Sequence, residues 1–177
     1  MDWSKLIQPD WTLFLDRDGV INERIIDGYV TRWKEFVFLP GVLEAMAVFA
    51  QRFRHVVIVS NQQGVGKGLM TQRQLSAIHT RMKKEIVAAG GRIDLIVVCT
   101  QLASDPDNHR KPKPYMAYQA QKKLPEIDFS KSIMVGDGDL DMAFGRNCGM
   151  HTVFIGQKNE LADACYDSLF SFSKTLK

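Results

Sequence analysis

Short apolar runs alternate with helical patterns along this chain, and this alternation constrains its fold more than any other feature. Five runs rich in Val, Ile, Leu and Phe predict strands at residues 12–16, 55–61, 94–100, 132–137 and 151–156. Helical spacing predicts helices at residues 42–53, 71–89, 115–123 and 139–147, and the tail from Asn159 is expected to hold a last short helix. Alternating strands and helices form a parallel sheet with right-handed crossovers. The sequence therefore predicts an α/β fold, a single Rossmann-like, doubly wound sheet in one domain over residues 1–177.

Composition narrows the partners that this chain is expected to have. Its 177 residues are 45% hydrophobic and 24% charged, which is ordinary for a globular protein with a buried core. The net charge of +3 does not by itself indicate nucleic acid, and no apolar run is long enough to span a membrane. The three cysteines, Cys99, Cys148 and Cys165, are widely spaced and form no disulfide framework. We therefore expect a cytoplasmic monomer that binds neither nucleic acid nor a membrane.

Four polar segments end the predicted strands or follow them. They are Asp16-Arg17-Asp18-Gly19, Ser60-Asn61-Gln62-Gln63, Arg110-Lys111-Pro112-Lys113-Pro114 and Gly136-Asp137-Gly138-Asp139-Leu140-Asp141. Because the carboxyl ends of parallel strands lie at one edge of a sheet, these groups should converge there. Carboxylates suit Mg²⁺, while hydroxyl, amide and lysine donors suit phosphate oxygens. This set indicates phosphoryl transfer through an aspartyl phosphate, although the first segment alone is equally consistent with a strand that ends in a turn.

These segments resemble the four motifs of the haloacid dehalogenase superfamily of phosphatases. The order D-x-D-G, S-N, K and G-D-x-x-x-D runs over residues 12–141. Finer similarities, including Asp27-Gly28-Tyr29-Val30 and Arg110-Lys111-Pro112, are to the branch of heptose-bisphosphate and histidinol-phosphate phosphatases. The resemblance implies a Mg²⁺-dependent enzyme that converts D-glycero-D-manno-heptose 1,7-bisphosphate to the 1-phosphate. Histidinol-phosphate hydrolysis is the alternative reaction, and a catalytically silent phospho-sugar binding protein is the alternative from another class.

The resemblance also implies roles for the carboxylates. Asp16 is expected to be the nucleophile, and Asp18 to protonate the leaving oxygen and then deprotonate the attacking water. The Mg²⁺ ligands are expected to be Asp16, the main-chain carbonyl of Asp18, and Asp137. Asp141 is expected to orient these ligands rather than to bind the ion.

Donor side chains complete the site that the resemblance implies. Ser60, Asn61 and Lys111 are expected to neutralise the transferring phosphoryl group. The remaining residues expected to bind the phosphorylated sugar are Arg17, Asp27, Gly28, Tyr29, Gln62, Gln63 and Arg110.

The chain departs from the branch at the zinc site that many of its members carry. A Cys-x-His pair and a later Cys-x-Cys pair are replaced here by Cys99-Thr100-Gln101 and Asp107-Asn108-His109. Cys99 and His109 are then joined only by Asp107, a poor third ligand, whereas structural zinc needs four. No structural zinc is therefore expected, and the loop should be held by its own hydrogen bonds.

The chain also departs from the branch around residue 138. Gly138 stands where close relatives often carry lysine, and Lys113 or Arg146 is a candidate to replace that lysine. The following Asp139 is expected to be the N-cap of its helix rather than a ligand.

The segment from Asn22 to Pro40 is expected to form a flap (residues 22–40), as a loop or hairpin that chooses the substrate. It leaves no room for a large cap domain. Its aromatic residues Trp33, Phe36 and Phe38 either pack in a minor core or form a wall above the substrate, and the sequence leaves both options open.

Overall fold

A six-stranded parallel sheet forms the centre of the computed structural model, which describes residues 2–176. The strands are β1 (Thr12–Leu15), β2 (His55–Asn61), β3 (Leu95–Cys99), β4 (Ser132–Gly136), β5 (His151–Ile155) and β6 (Ala164–Tyr166). Their order across the sheet is β3-β2-β1-β4-β5-β6, and every neighbouring pair is parallel. The predicted α/β, doubly wound fold is confirmed.

Helices cover both faces of this sheet. They are α1 (Trp3–Leu6), α2 (Val42–Arg52), α3 (Gln72–Ala88), α4 (Tyr115–Lys123), α5 (Asp139–Asn147) and α6 (Leu169–Lys174), with 3₁₀ turns at Trp33–Glu35 and Phe129–Lys131. The start of α3 is a capping box. The backbone N–H of Gln74 donates to Thr71 Oγ1 at 3.2 Å, and that of Thr71 donates to Gln74 Oε1 at 2.7 Å.

Strand β1 is buried on both faces because helices lie on each side of it. Leu13 and Leu15 belong to a core cluster that includes residues of α2, α3 and α6, whereas Phe14 belongs to a second cluster with residues of α4 and α5. Successive side chains of a strand point to opposite faces, so one strand supplies both cores. This double burial gives β1 a rigid carboxyl end.

The carboxyl end of β1 is the switch point of the topology. From β1 the chain continues to β2 and β3 on one side of the sheet, and it then crosses to β4, β5 and β6 on the other side. Open α/β sheets bind ligands where strand order reverses in this way. The residues that follow β1 therefore lie between two diverging sets of loops.

Two elements at the ends of the chain were not predicted. Strand β6, three half-buried residues paired with β5, was missed because so short an edge strand shows no alternation. Helix α1 was missed because its single turn offers no repeat, although Trp3 is buried. The short helix expected in the tail is α6, which Ser168 caps by accepting from the N–H of Ser171 at 3.1 Å.

The flap is a loop rather than a hairpin. Asn22 and Phe38 form an isolated antiparallel bridge, and the 3₁₀ turn lies between them. Trp33 stacks on Phe36 with ring centroids 5.0 Å apart, and Phe38 packs edge-on against Phe36 at 5.0 Å. All three rings belong to or pack against the core cluster beside α2, so they anchor the flap and do not form a wall above the cavity.

No helix among residues 2–176 combines the length and the apolar character needed to cross a membrane.

Candidate active site

A cavity of about 590 Å³ lies at the carboxyl end of β1. Its lining comes from the flap and from all four polar segments, which therefore converge as predicted. The lining residues are Asp16, Asp18, Arg24, Ile25, Gly28, Tyr29, Ser60, Asn61, Arg110, Lys111, Gly138, Asp139, Leu140 and Asp141. A second cavity of about 600 Å³, between Gly19, α2 and α6, is lined mainly by apolar side chains. Polar groups able to bind a phosphate converge on the first cavity.

Three carboxylates form a cluster at one side of this cavity. One oxygen each of Asp16, Asp137 and Asp141 lies within 4.8 Å of the others. Asp16 follows β1, Asp137 follows β4, and Asp141 lies in the first turn of α5. Gly19 permits this approach, because a Cβ at this residue, whose φ is +91°, would lie 1.9 Å from Asp137 Oδ2. The turn after β1 therefore needs glycine for space as well as for backbone conformation.

The carboxylate cluster carries more negative charge than its surroundings neutralise. Burial raises the pKa of Asp16 to about 6 against the attraction of Lys111, and the charges of Asp141 and Asp18 add to the rise. Burial likewise raises the pKa of Asp137 to about 7 against the attraction of Arg24. A hard divalent cation with oxygen ligands relieves such repulsion. The residues present therefore fit Mg²⁺, with Asp16, Asp137 and the Asp18 carbonyl as the predicted ligands.

Lys111 lies between two of these carboxylates. Its Nζ donates to Asp16 Oδ1 at 2.9 Å, to Asp141 Oδ1 at 2.5 Å and to the carbonyl of Val59 at 2.9 Å. Burial alone would lower the pKa of Lys111, but the charges of Asp141 and Asp16 outweigh it and raise the pKa above its usual value. Lys111 is therefore a permanent cation that holds the predicted nucleophile in place.

Asn61 fixes the backbone of Lys111 at the end of β2. Its Oδ1 accepts from the N–H of Lys111 at 3.0 Å, and its Nδ2 donates to the carbonyl of Lys111 at 3.3 Å. The side chain still lines the cavity, beside Ser60. Both residues thus lie where the prediction puts phosphate donors, and Asn61 also positions the lysine loop.

Asp18 has a different environment from Asp16. Its Oδ1 accepts from Arg17 at 2.8 and 3.2 Å and from Asn22 Nδ2 at 2.9 Å, and its Oδ2 accepts from Gln62 Nε2 at 2.7 Å. Burial alone would raise the pKa of Asp18, but the charge of Arg17 and these hydrogen bonds outweigh it and lower the pKa. The carboxylate of Asp18 is therefore held in one orientation by three side chains.

Arg17 and Gln62 do not lie where the predicted substrate contacts require them. Each is 1% exposed, and both lie behind Asp18 rather than on the cavity wall. Gln62 Nε2 donates to Asp18 and to Ser60 Oγ at 2.9 Å, so its donors are used within the protein. Arg17 holds Asp18 in place, and Gln62 holds both Asp18 and Ser60, a role that sequence position could not distinguish from a direct substrate contact.

Tyr29, which lines the cavity, has positively charged neighbours. Gln63 Nε2 donates to the Tyr29 hydroxyl at 2.8 Å, and Lys67 Nζ lies 5.3 Å from the centre of its ring. Burial alone would raise the pKa of Tyr29, but these two neighbours and the charge of Arg110 lower it. Gly28 lines the cavity beside Tyr29, whereas Asp27, in a left-handed conformation at φ 53°, does not.

Arg24 in the flap is a site residue that the sequence reasoning missed. Its Nη2 donates to Asp137 Oδ1 at 2.7 Å and to the carbonyl of Asp18 at 3.3 Å. Both oxygens belong to the predicted Mg²⁺ ligands, so this guanidinium contacts the atoms that the cation is expected to bind. The only signal in the sequence was a basic residue in the flap, which does not show that the flap folds back onto Asp137.

The N-cap predicted at Asp139 is wrong. Gly138 precedes α5, and its N–H donates to Asp141 Oδ2 at 3.1 Å. Asp139 is the first helical residue and accepts from Asn159 Nδ2 at 2.7 Å. The carboxylate three residues into the helix can reach back to the free N–H group at its start, whereas Asp139 points to the neighbouring loop.

Neither Lys113 nor Arg146 takes the place of a lysine at position 138. Lys113 Nζ donates to the carbonyls of Pro106 and Asn108 at 3.2 and 2.8 Å. Arg146 donates to Asp163 Oδ1 at 2.6 Å. Both side chains are engaged away from the cavity, which neither of them lines.

Hydrogen bonds to Gln101 link the two ends of the loop between Cys99 and His109. Gln101 Oε1 accepts from the N–H of His109 at 2.8 Å and from Cys99 Sγ at 3.5 Å. The His109 ring stacks on Tyr115 with centroids 3.6 Å apart. These contacts are of the kind expected for a loop that closes on itself, and the absence of structural zinc stays a prediction.

Comparisons with known proteins point in one direction. A family model described as HAD-hydrolase-like matches residues 108–167. The chain is 34% identical over 170 residues to the D-glycero-alpha-D-manno-heptose-1,7-bisphosphate 7-phosphatase of Mycobacterium bovis, covering 92% of this chain and 90% of the relative. It is 36% identical over 138 residues to the D-glycero-beta-D-manno-heptose-1,7-bisphosphate 7-phosphatase of Pseudomonas aeruginosa, covering 77% and 76%.

A solved structure gives the same result. The D,D-heptose 1,7-bisphosphate phosphatase from B. bronchiseptica, complexed with magnesium and phosphate, superimposes with a TM-score of 0.84 at 28% identity. The match covers 94% of this chain and 97% of that one. The structural similarity therefore extends over nearly the full length of both chains.

Proposed function

Because the chain belongs to the heptose-bisphosphate phosphatase family of haloacid dehalogenase-like hydrolases, we propose that it removes the 7-phosphate of D-glycero-D-manno-heptose 1,7-bisphosphate through an aspartyl phosphate. The observation that carries this proposal is the pair of acids after β1. Asp16 lies against Lys111 at 2.9 Å, and Asp18 lines the same cavity with its carboxylate held by three side chains. A nucleophile and a proton carrier are the two groups that this chemistry needs.

In the first step a carboxylate oxygen of Asp16 attacks the phosphorus. The bond from phosphorus to the sugar oxygen breaks, and that oxygen takes the proton of the Asp18 carboxyl group. The positive charge of Lys111 and the donors of Ser60 and Asn61 would stabilise the charge on the phosphoryl oxygens. The products of this step are the free sugar hydroxyl and an acyl phosphate on Asp16.

In the second step water attacks the phosphorus of the acyl phosphate. Asp18, now a carboxylate, takes the water proton, the phosphorus–oxygen bond to Asp16 breaks, and phosphate leaves. The lowered pKa of Asp18 favours the carboxylate that this step uses. For the first step Asp18 must carry a proton. The negative charge of a phosphate bound beside Asp18 raises the pKa of this carboxyl group and so favours its protonated form.

The carboxylate cluster would hold Mg²⁺ through Asp16, Asp137 and the carbonyl of Asp18. Bound there, the ion would supply positive charge that offsets the electrostatic repulsion between a phosphate dianion and the three carboxylates. Asp141, which bonds Lys111 and the N–H of Gly138, would orient this set without binding the ion.

A sugar with two phosphates matches the charge of the cavity. Asp16 and Lys111, which are buried, line it together with the half-buried Arg110, and Lys67 lies over the Tyr29 ring. The second phosphate of the substrate would meet Arg110 and Lys67. The chain is expected to act as a monomer in the cytoplasm, and its three free cysteines are typical of a reducing compartment.

A screen of phosphate esters tests this function directly. Purified protein with Mg²⁺ is offered both anomers of heptose 1,7-bisphosphate, histidinol phosphate and p-nitrophenyl phosphate, and phosphate release is measured. We expect kcat/KM to be highest for a heptose bisphosphate. A higher kcat/KM for histidinol phosphate would identify histidinol phosphate as the preferred substrate. If no ester is hydrolysed, the result would support a phospho-sugar binding protein instead.

A further inference from the structure

A buried hydrogen-bond chain runs from helix α3 to the carboxylate of Asp18. His79 lies on the inner face of α3 and is 9% exposed. Its Nε2 lies 3.1 Å from Nη1 of Arg17. Nη2 and Nε of the same guanidinium donate to Asp18 Oδ1 at 2.8 and 3.2 Å. One planar group therefore connects a helix side chain to the predicted proton carrier.

The direction of this chain follows from the chemistry of arginine. A guanidinium has only donors, so Nε2 of His79 must accept, and the ring is neutral with its proton on Nδ1. Burial, together with the charge of Arg17, lowers the pKa of His79 to about 4, which agrees with a neutral ring. His79 thus presents a fixed lone pair to Arg17 without adding a second positive charge.

The geometry of Arg17 depends on this acceptor. A guanidinium that is 1% exposed has no water to satisfy its outer donors, so Nη1 needs a partner within the protein. With Nη1 bonded to His79, the opposite edge of the same plane is aligned with one oxygen of Asp18. Without that acceptor, the plane would be free to turn toward another partner.

We propose that His79 is a positioning residue for proton transfer, because it holds Arg17 and thereby sets the orientation of the Asp18 carboxylate toward the leaving oxygen. This inference rests on the proposed function, in which Asp18 gives a proton to the sugar oxygen and later takes one from water. His79 itself touches neither the substrate nor the reacting atoms.

The test uses leaving groups that differ in their need for a proton. The alkoxide of heptose 1,7-bisphosphate needs protonation as it leaves, whereas the phenolate of p-nitrophenyl phosphate does not at neutral pH. The value of kcat/KM reports the steps up to departure of the leaving group. A misplaced Asp18 should therefore lower kcat/KM for the sugar ester and leave that of the aryl ester nearly unchanged.

Three variants of His79 separate an acceptor from a space-filling ring. His79→Leu fills space without an acceptor, and His79→Gln can place Oε1 where Nε2 lies. His79→Asn is polar but too short, and it serves where the leucine variant does not fold. We expect a loss of about tenfold in kcat/KM for the sugar ester with Leu or Asn, less than about twofold for the aryl ester, and recovery with Gln.

Ile78→Val is the matched control for a purely structural effect. Ile78 neighbours His79 on α3 and is buried, but it makes no hydrogen bond to Arg17. If the variant only loosens the packing of α3, kcat/KM should change by the same factor for both esters. An equal loss for both esters in His79→Leu, or no recovery in His79→Gln, would overturn the proposed role.

Asp18→Asn separates failure of this inference from failure of the proposed function. If Asp18→Asn lowers kcat/KM more for the sugar ester and His79→Leu does not, the role of His79 alone is wrong. If Asp18→Asn affects both esters equally, Asp18 is not the proton donor, and the proposed mechanism fails together with the inference.

Discussion

Asp16 and Asp18 are two residues apart after the same strand, yet their surroundings shift their pKa values in opposite directions. On the Asp16 side, buried carboxylates crowd together, and the pKa rises to about 6. On the Asp18 side, Arg17, Asn22 and Gln62 all donate to a single carboxylate, and the pKa falls. The first arrangement leaves negative charge that a cation can neutralise, whereas the second leaves none.

This contrast separates the roles of the two acids. The Asp16 side combines a carboxylate cluster that fits a cation with the predicted nucleophile, which Lys111 holds. The Asp18 side has its hydrogen bonds satisfied within the protein, so its carboxylate has one orientation. The two carboxylates therefore differ in their partners, which are Lys111 and two further carboxylates for Asp16 and three neutral or cationic donors for Asp18.

Replacing Asp16, the predicted nucleophile, should produce the largest effect. Asp16→Asn keeps the size of the side chain but cannot form the acyl phosphate, so we expect phosphate release to fall by at least about 10³-fold. Initial rates with a sugar phosphate measure this loss. Asp139→Asn, at an exposed carboxylate on the rim, is the matched control and should retain activity within a few fold. Substantial turnover by Asp16→Asn would exclude the covalent route.

Replacing Lys111, the cation that contacts Asp16, should lower the stability of the folded protein. Lys111→Met leaves Asp16 and Asp141 without their buried partner, and we expect a loss of about 4 kcal/mol in the free energy of unfolding above pH 7. Urea denaturation without added metal measures it. Lys113→Met, two residues away and exposed, should change stability by less than about 1 kcal/mol. If the two variants lost equal stability, Lys111 would not be neutralising the charge of Asp16 and Asp141.

The Asp18 side should show a pH dependence that originates at His79. Its folded pKa of about 4 lies below its ordinary value of 6.5, so the unfolded state binds the extra proton between these values. Stability from the neutral ring is complete above pH 6.5 and is lost as the pH falls toward 4, a contribution of about 3 kcal/mol. The stability difference between wild type and His79→Gln, from urea denaturation across this range, isolates it. A difference that does not change with pH would mean that His79 titrates normally.

The contact between Arg24 and the cluster should give the smallest effect. Arg24 is half-exposed and donates to Asp137 and to the carbonyl of Asp18, so it competes with a cation for the same oxygens. Arg24→Gln should raise the affinity for Mg²⁺ by about two- to fivefold in titration calorimetry, because an exposed ion pair is weak. Arg32→Gln, whose partner is Glu35, leaves the cluster untouched and should not change the affinity. A lower affinity in Arg24→Gln would contradict this competition.

Much of the site follows from local sequence. A strand end presents Asp16 and Asp18 toward one region, and parallel strands bring Ser60 and Asp137 to the same edge. Four motifs in order also carried the family resemblance, and the fold that it implied is confirmed. Local sequence also accounts for the capping box that the structure shows at the start of α3, because both of its partners lie within one turn.

The fold class and the chemical groups at the strand ends could therefore be predicted from the sequence, since both depend on periodicity and on neighbours along the chain. The partner that each group contacts depends on tertiary packing. Arg17 and Gln62 lie behind Asp18 rather than in the cavity, and Arg24 and His79 reach the site from the flap and from α3. Burial and charge depend on residues distant in the chain, and these set the pKa of each carboxylate.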